Sequence, residues 1–201
     1  LYLPAPDHLW AIDARTAKEL WHYQHPANKA FHIGHRGAAV YKDTVYLTTP
    51  DCHLIAFDAK TGKIKWDVII ADSKKGYWST NAPLIVKDMV VSGMAGAEFG
   101  VRGWIAAYDV ETGKEAWRFW TVPGDPKKGF ESKALEAAAK TWDGEWWKIA
   151  GGGGTVWDAA LYDPTTDLLY FGTGNPTPWN SRARTPSVGD NLYAASIVAV
   201  K

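Results

Sequence analysis

The sequence predicts an all-β chain: about three to four blades of a β-propeller, with one short helix inserted among the strands. Three observations carry this. One motif returns three times at a spacing of roughly 45–51 residues, the length of a four-stranded blade. Between its copies, short apolar runs alternate with turn signals. And the 201 residues hold 12 tryptophans and 19 glycines, with a tryptophan at the same motif position each time.

The copies are Ala11–Trp21 (AIDARTAKELW), Ala56–Trp66 (AFDAKTGKIKW) and Ala107–Trp117 (AYDVETGKEAW), sharing A-x-D-x-x-T-G-K-x-x-W. A fourth is expected to begin at Ala199. Apolar residues on either side make two strands, and Asp-x-x-Thr-Gly makes the hairpin between them. The aspartate bonds backbone amides across the turn and glycine accepts a positive φ. The lysine faces water, and the tryptophan is a flat plug between neighbouring blades. Ala17 stands where the other copies have Gly62 and Gly113, so that turn is expected to be strained or of another type. By itself the motif builds a scaffold and carries no reaction.

In chain order, Ala38–Tyr41 and Thr44–Thr48 flank a Lys42-Asp43 turn, and Leu84–Val86 and Met89–Ser92 flank Lys87-Asp88. Ala160–Tyr162 and Leu168–Gly172 flank the turn Asp163–Asp167. Glu131–Thr141 (ESKALEAAAKT) is rich in helix formers and poor in β-branched residues, which predicts the inserted helix. The Gly124–Lys128 stretch reads as a loop with a solvated lysine pair. Both ends fall within apolar or uncapped stretches, so the chain is expected to be a single incomplete propeller domain over 1–201, truncated at both ends.

Composition narrows the function. Lysine plus arginine number 22 and aspartate plus glutamate 22, so the net charge is zero and no chain-wide basic footprint for nucleic acid exists. With Cys52 alone there is no internal disulfide and no CxxC motif. No apolar run reaches the ~18 residues of a membrane span. The pairs His22/His25 and His32/His35 lack a full ordered ligand set and read as turn or surface histidines, His32 or His35 being the ones near enough to Arg36 to touch a ligand.

Three segments depart from plain blade sequence: Gly96–Gly103 (GAEFGVRG), Gly151–Asp158 (GGGGTVWD) and Gly172–Asn180 (GTGNPTPWN). Their glycines allow backbone to approach a ligand, and they fall on successive parts of the ring, where loops converge on its axis. Together with the tryptophan repeat and Thr121–Pro126 (TVPGDP), this ordered set resembles the quinoprotein alcohol dehydrogenases along essentially the whole chain. The resemblance implies an eight-bladed propeller holding pyrroloquinoline quinone (PQQ) and a metal, Ca²⁺ or a lanthanide. Glu98 and Asn175 match its metal ligands. Trp157 matches the indole beneath the quinone, Thr80 and Thr155 hydroxyl contacts to it, and Arg36 an arginine on a cofactor carboxylate. Gly96 and Ala97 match backbone positions against the cofactor, and Ala95 stands where many members carry serine. Ala30 and Phe31 occupy the positions of an adjacent cysteine pair found in many members, so that disulfide cannot form here.

The implied reaction is alcohol oxidation to an aldehyde or ketone. The partners are a small alcohol and a cytochrome c or other electron acceptor, the location is the periplasm, and the catalytic aspartate lies beyond Lys201. Chemistry supports these roles. A hard cation takes six to eight oxygen ligands. A planar tricarboxylate needs a guanidinium fork, hydroxyl donors and an aromatic face. The alternative is a non-catalytic tryptophan-repeat propeller serving as an assembly or interaction scaffold, which would have no reason to gather Glu98, Trp157 and Asn175.

Overall fold

The structure, a computed structural model, describes residues 1–26, 34–184 and 189–201. Four antiparallel sheets follow one another along the chain. The first holds β1 (Tyr2–Ala5), β2 (His8–Ile12) and β3 (Glu19–Gln24). The second runs β4 (Ala39–Tyr41), β5 (Thr44–Thr48), β6 (His53–Asp58), β7 (Ile64–Ile69). The third runs β8 (Leu84–Val86), β9 (Met89–Gly93), β10 (Trp104–Asp109), β11 (Glu115–Trp120), and the fourth holds β12 (Ala160–Asp163), β13 (Leu168–Gly172) and β14 (Ile197–Val200). Strands pair in chain order, and β8 touches both β4 and β12, so the first strands of the second, third and fourth sheets line one side of the array. The expected hairpins at Lys42, Lys87 and Asp163–Asp167 all form.

The repeat explains the stacking. In all three copies the strand pairing shifts register directly after the motif alanine. The motif aspartate then accepts amide hydrogens across the turn: Asp13 from Thr16 at 3.1 Å, Asp58 from Thr61 at 2.8 Å, Asp109 from Thr112 at 2.8 Å. Trp21 Nε1 donates to the Ala59 carbonyl and Trp66 Nε1 to Val110, each at 3.0 Å, so each indole is tied to the turn of the following blade. The turn glycine supplies the seat. A Cβ on Gly62 would lie 2.7 Å from the Trp21 ring, and one on Gly113 2.8 Å from Trp66. Between the sheets lie three apolar layers, centred on Leu47 and Phe57, on Met94 and Trp104, and on Ile105 and Phe171.

The turn at Ala17 is not of another type. Its backbone bonds repeat those of Gly62 and Gly113, with Ala17 forced to φ 57°. The inserted helix is α1 (Lys133–Ala139), capped by Ser132, whose hydroxyl accepts from Leu135 N at 3.2 Å. Two further helical turns, α2 (Trp146–Ile149) and α3 (Ser181–Arg184), were not expected. Packing forms α2 rather than propensity: Trp146 is buried beside Trp142 and Val122, and its indole donates to the Pro123 carbonyl at 2.8 Å. Arg102 forks onto Glu131 at 2.6 and 3.0 Å, clipping the insertion to the third sheet. No helix among the described residues is long and apolar enough to cross a membrane.

The Thr61 and Thr112 hydroxyls hold the Asp58 and Asp109 carboxyls below their ordinary range. A lowered native value means that this contribution is complete above about pH 4 and is lost as pH falls through the native pKa, so acid loosens the blade turns. The glycine seat gives a sharper expectation. Ala17→Gly relieves a left-handed alanine and should raise stability by about 0.5–1 kcal/mol, whereas Gly62→Ala should lower it by about 2–4 kcal/mol. Denaturant unfolding of the full-length protein, followed by tryptophan fluorescence, measures both.

Candidate active site

Strand connectivity divides the loops between two ends of the array. In the second to fourth sheets, the turn inside the first hairpin lies at the same end as the Asp-x-x-Thr-Gly turns, and the segments leading into the first strand and joining the second to the third lie at the other. In the first sheet, which has three strands, the β1–β2 turn and the end of β3 lie at that other end. Arg36 precedes β4, Thr80 precedes β8, and Thr155 and Trp157 precede β12: three equivalent segments of successive blades. Glu98 sits in the connection from β9 to β10, within the 3₁₀ turn Ala97–Phe99, and Asn175 follows β13.

These segments meet. Arg36, Thr80, Gly96, Glu98, Thr155 and Trp157 line one cavity of about 270 Å³, together with Trp78 and Ala95. Arg36 Nη1 donates to the Thr80 hydroxyl at 2.8 Å and the Thr80 carbonyl at 3.2 Å, and its guanidinium carbon lies 4.9 Å from the Trp157 ring centroid. The Thr80 hydroxyl donates to the Trp157 carbonyl at 3.2 Å. Thr80 and Thr155 are buried, while Trp157 keeps 42% of its surface open. The cavity thus combines a fixed guanidinium, two threonines, an accessible indole and a carboxylate.

Backbone packing sets this position. Gly151–Gly154 all have positive φ, between 64° and 91°, a path that only glycine follows without strain. Gly103 N donates to Gly153 O at 2.7 Å and Gly154 N to Asn175 O at 3.1 Å, wedging the run between the third and fourth sheets. Val156 then abuts Gly93, where a Cβ would lie 2.2 Å from the Val156 carbonyl oxygen. Gly174 lies against Trp157, where a Cβ would come 3.1 Å from Nε1.

Two expected residues stand outside the cavity wall. Ala97 is buried behind it at 3% exposure, and the Asn175 side chain is exposed, its backbone fixed to Gly154. His35 Nε2 donates to the Thr48 carbonyl at 2.8 Å and is not in the wall either. Ala30, Phe31 and His32 lie outside the described residues. His22 is exposed as expected, stacked on Trp10 and 2.8 Å from His8. His25 is not a surface histidine. It is 5% exposed because the Asp51 carboxylate of the next sheet receives it at 3.0 Å.

Two site residues escaped the sequence. Asp158 pairs with Arg36 Nε at 3.2 Å, and Trp78 joins the wall, bridged to Ala95 and edge-on to Phe99 at 4.9 Å. Asp158 directly follows Trp157 in GGGGTVWD, a usable hint. Trp78 carries no motif. A second cavity of about 590 Å³, with Phe99, Ile149 and Trp179 in its wall, shares Glu98 with the first.

The family described as "PQQ: Glucose/ethanol/alcohol dehydrogenase, beta-propeller domain" matches residues 1–201. The chain is 52% identical over 198 residues to quinohemoprotein alcohol dehydrogenase ADH IIB of Pseudomonas putida, covering 95% of this chain and 29% of that protein. It superposes on the quinohemoprotein alcohol dehydrogenase of Comamonas testosteroni with TM-score 0.95 at 44% identity, covering 99% of this chain and 31% of that one. For a europium-containing methanol dehydrogenase the TM-score is 0.85 at 37% identity, covering 100% and 37%. The chain therefore spans about a third of the length of these relatives.

The contact at Gly93 is testable against an internal control. Gly93 and Gly172 end equivalent strands, but a Cβ on Gly172 meets nothing within 4 Å. Gly93→Ala should cost about 3 kcal/mol or more and alter the near-UV circular dichroism, whereas Gly172→Ala should stay within about 1 kcal/mol of wild type.

Proposed function

The chain belongs to the PQQ-dependent glucose/ethanol/alcohol dehydrogenase β-propeller family, and from that premise we propose that the protein oxidises an alcohol to an aldehyde or ketone, with PQQ and a metal ion held at the cavity between Arg36 and Trp157. The observation that carries this reading is the convergence of Arg36, Thr80, Thr155, Trp157 and Glu98 on one cavity. The 201 residues are read as part of a single propeller domain of the larger protein.

The donor set fits both groups. Arg36 and the hydroxyls of Thr80 and Thr155 suit the carboxylate rim of a planar tricarboxylate, and the open Trp157 indole suits its face. Gly96 presents backbone at the wall with no side chain in the way, and Ala97 lies buried behind it. Glu98 lines the cavity wall and, with the Asn175 amide from outside it, would supply oxygen to a hard cation, Ca²⁺ or a lanthanide, leaving room for cofactor oxygens and water. When bound, the quinone supplies two-electron redox chemistry and the metal Lewis acidity.

The chain's own residues bind and orient. Arg36 neutralises a carboxylate while Asp158 and Thr80 fix its plane. With Glu98 serving the metal, the alcohol proton would go to the aspartate that the family resemblance implies beyond Lys201. We read the second cavity, with Phe99, Ile149 and Trp179 in its wall and Glu98 shared with the first, as the side from which an alcohol with an apolar substituent would approach. A cytochrome or similar acceptor takes the electrons, a partner supported by the relatives' designation as quinohemoproteins. We assign the protein to the periplasm.

The test is dye reduction by the full-length protein supplied with PQQ, Ca²⁺ and a series of alcohols. Absence of any cofactor-dependent turnover rejects the reading. Glu98→Gln should lower turnover about 100-fold or more while leaving the melting temperature near wild type. Trp157→Ala should weaken PQQ binding about 10–100-fold, measured by quenching of the remaining tryptophans.

A further inference from the structure

A second cluster lies at the same end of the array, between the first and second sheets. His25 follows β3, Asp51 lies in the turn from β5 to β6, and His53 opens β6. One ligand atom from each lies within 4.8 Å of the other two. His25 Nε2 lies 3.0 and 3.1 Å from the Asp51 carboxylate oxygens, and His53 Nε2 lies 3.8 Å from Asp51 Oδ2.

The outer nitrogens are already engaged. His25 Nδ1 meets the Tyr23 hydroxyl at 2.9 Å, and His53 Nδ1 meets Asp67 Oδ1 at 2.7 Å. Both rings therefore turn Nε2 inward onto one carboxylate. Carboxylate–histidine pairs of the His53–Asp67 kind fix the tautomer and raise ligand basicity at metal centres. The proton count also calls for a cation. With Nδ1–H of His53 given to Asp67, its Nε2 carries a lone pair facing the Asp51 carboxylate, and two acceptors oppose each other. A proton on Nε2 or a metal ion between the groups resolves this.

The turn is rigid before anything binds. The Thr49 hydroxyl donates to Asp51 Oδ1 at 2.6 Å and accepts from His53 N at 3.1 Å, and Thr49 N donates to His53 O at 2.9 Å. His25 N is held by the Asp7 carbonyl at 2.8 Å. The Cys52 thiol between the ligands is no competitor. It is packed in the apolar layer between the second and third sheets, and burial pushes its pKa far up. His25 is buried, while the side chains of Asp51 and His53 keep 31% and 23% of their surface open, leaving a coordination position facing water.

We propose that His25 Nε2, Asp51 and His53 Nε2 bind a divalent transition ion of the zinc class, with water as fourth ligand. Two imidazoles and one carboxylate suit tetrahedral Zn²⁺ and its congeners and are too few, and too rich in nitrogen, for Ca²⁺. On binding, neutral His25 shifts its proton from Nε2 to Nδ1, which then donates to the Tyr23 oxygen, while His53 keeps its proton on Nδ1, donated to Asp67, so no proton is released. The ion would bolt the end of β3 to the β5–β6 turn. The proposal does not depend on the redox reading.

The test uses full-length protein stripped with chelator, then titrated with Zn²⁺ by calorimetry and with Co²⁺ by visible absorption. One Zn²⁺ per chain and an intense tetrahedral Co²⁺ spectrum are expected. Asp67→Asn should weaken Zn²⁺ about 10–100-fold without abolishing it, and His53→Ala should abolish both signals. Because His25 is buried, His53, at the more open side, provides the decisive variant, with its melting temperature measured in chelator to confirm folding. No Zn²⁺ uptake at micromolar free metal, or uptake unchanged in folded His53→Ala, overturns the proposal.

Discussion

The seat of one blade's tryptophan on the next blade's glycine governs the rest of the structure. Trp21 lies on the Gly62 turn and Trp66 on the Gly113 turn, each with its indole N–H on a carbonyl of that turn. An indole buries roughly 150–250 Å² and has one donor to satisfy, so the contact is both strong and directional. It leaves no space even for a methyl group. The spacing between blades is fixed by van der Waals contact, and every group that must meet across blades inherits that precision. Charge plays a small part in this cohesion. The Lys87–Asp167 pair spans the third and fourth sheets at 2.7 Å, but both partners are about half exposed, and such pairs contribute little.

A regular end and an irregular end follow. The motif turns repeat almost bond for bond, and at Gly62 and Gly113 docking demands that geometry. The opposite end is relieved of that demand. There the lead-ins to β4, β8 and β12 and the turns after β5, β9 and β13 differ in length and chemistry. Arg36, Glu98, Trp157 and the His25–Asp51–His53 cluster all occur at this end. Loops held by a rigid frame are where binding groups concentrate.

Much of this was legible in the sequence because it is local. The hairpins, the turn aspartates, the α1 helix and the glycine-flanked Glu98 and Trp157 each announce themselves within about ten residues, the span over which turn chemistry and propensity act. What escaped depends on partners distant in the chain. Asp158 resembles any loop carboxylate until Arg36 is brought to it across two blades. Trp78 is one of 12 tryptophans, and its place in the wall comes from pairing with Ala95. His25 reads as a polar strand end, yet Asp51 in the next sheet lets it be buried. The helical turn α2 forms because Trp146 finds the Val122–Trp142 pocket, which no propensity encodes. At Ala17 the hydrogen bonds of the turn overrode propensity, holding an alanine at positive φ where the other copies use glycine.

The state of Arg36 constrains how the cavity can bind an anion. Its Nε is given to Asp158 and its Nη1 to Thr80, while its plane leans over Trp157, so three of its surroundings are set before a ligand arrives. That ordering removes about 2 kcal/mol of rotamer entropy from the binding step. It also sets a limit, since Asp158 offsets part of the charge and Arg36 is the one cation in the cavity wall among the described residues. A flat anion held by a single, partly neutralised guanidinium cannot depend on Coulomb attraction alone. The remaining affinity must come from its face against the Trp157 indole and from its rim against buried hydroxyls. On the proposed reading, the 42% of Trp157 left open is the face offered to that anion.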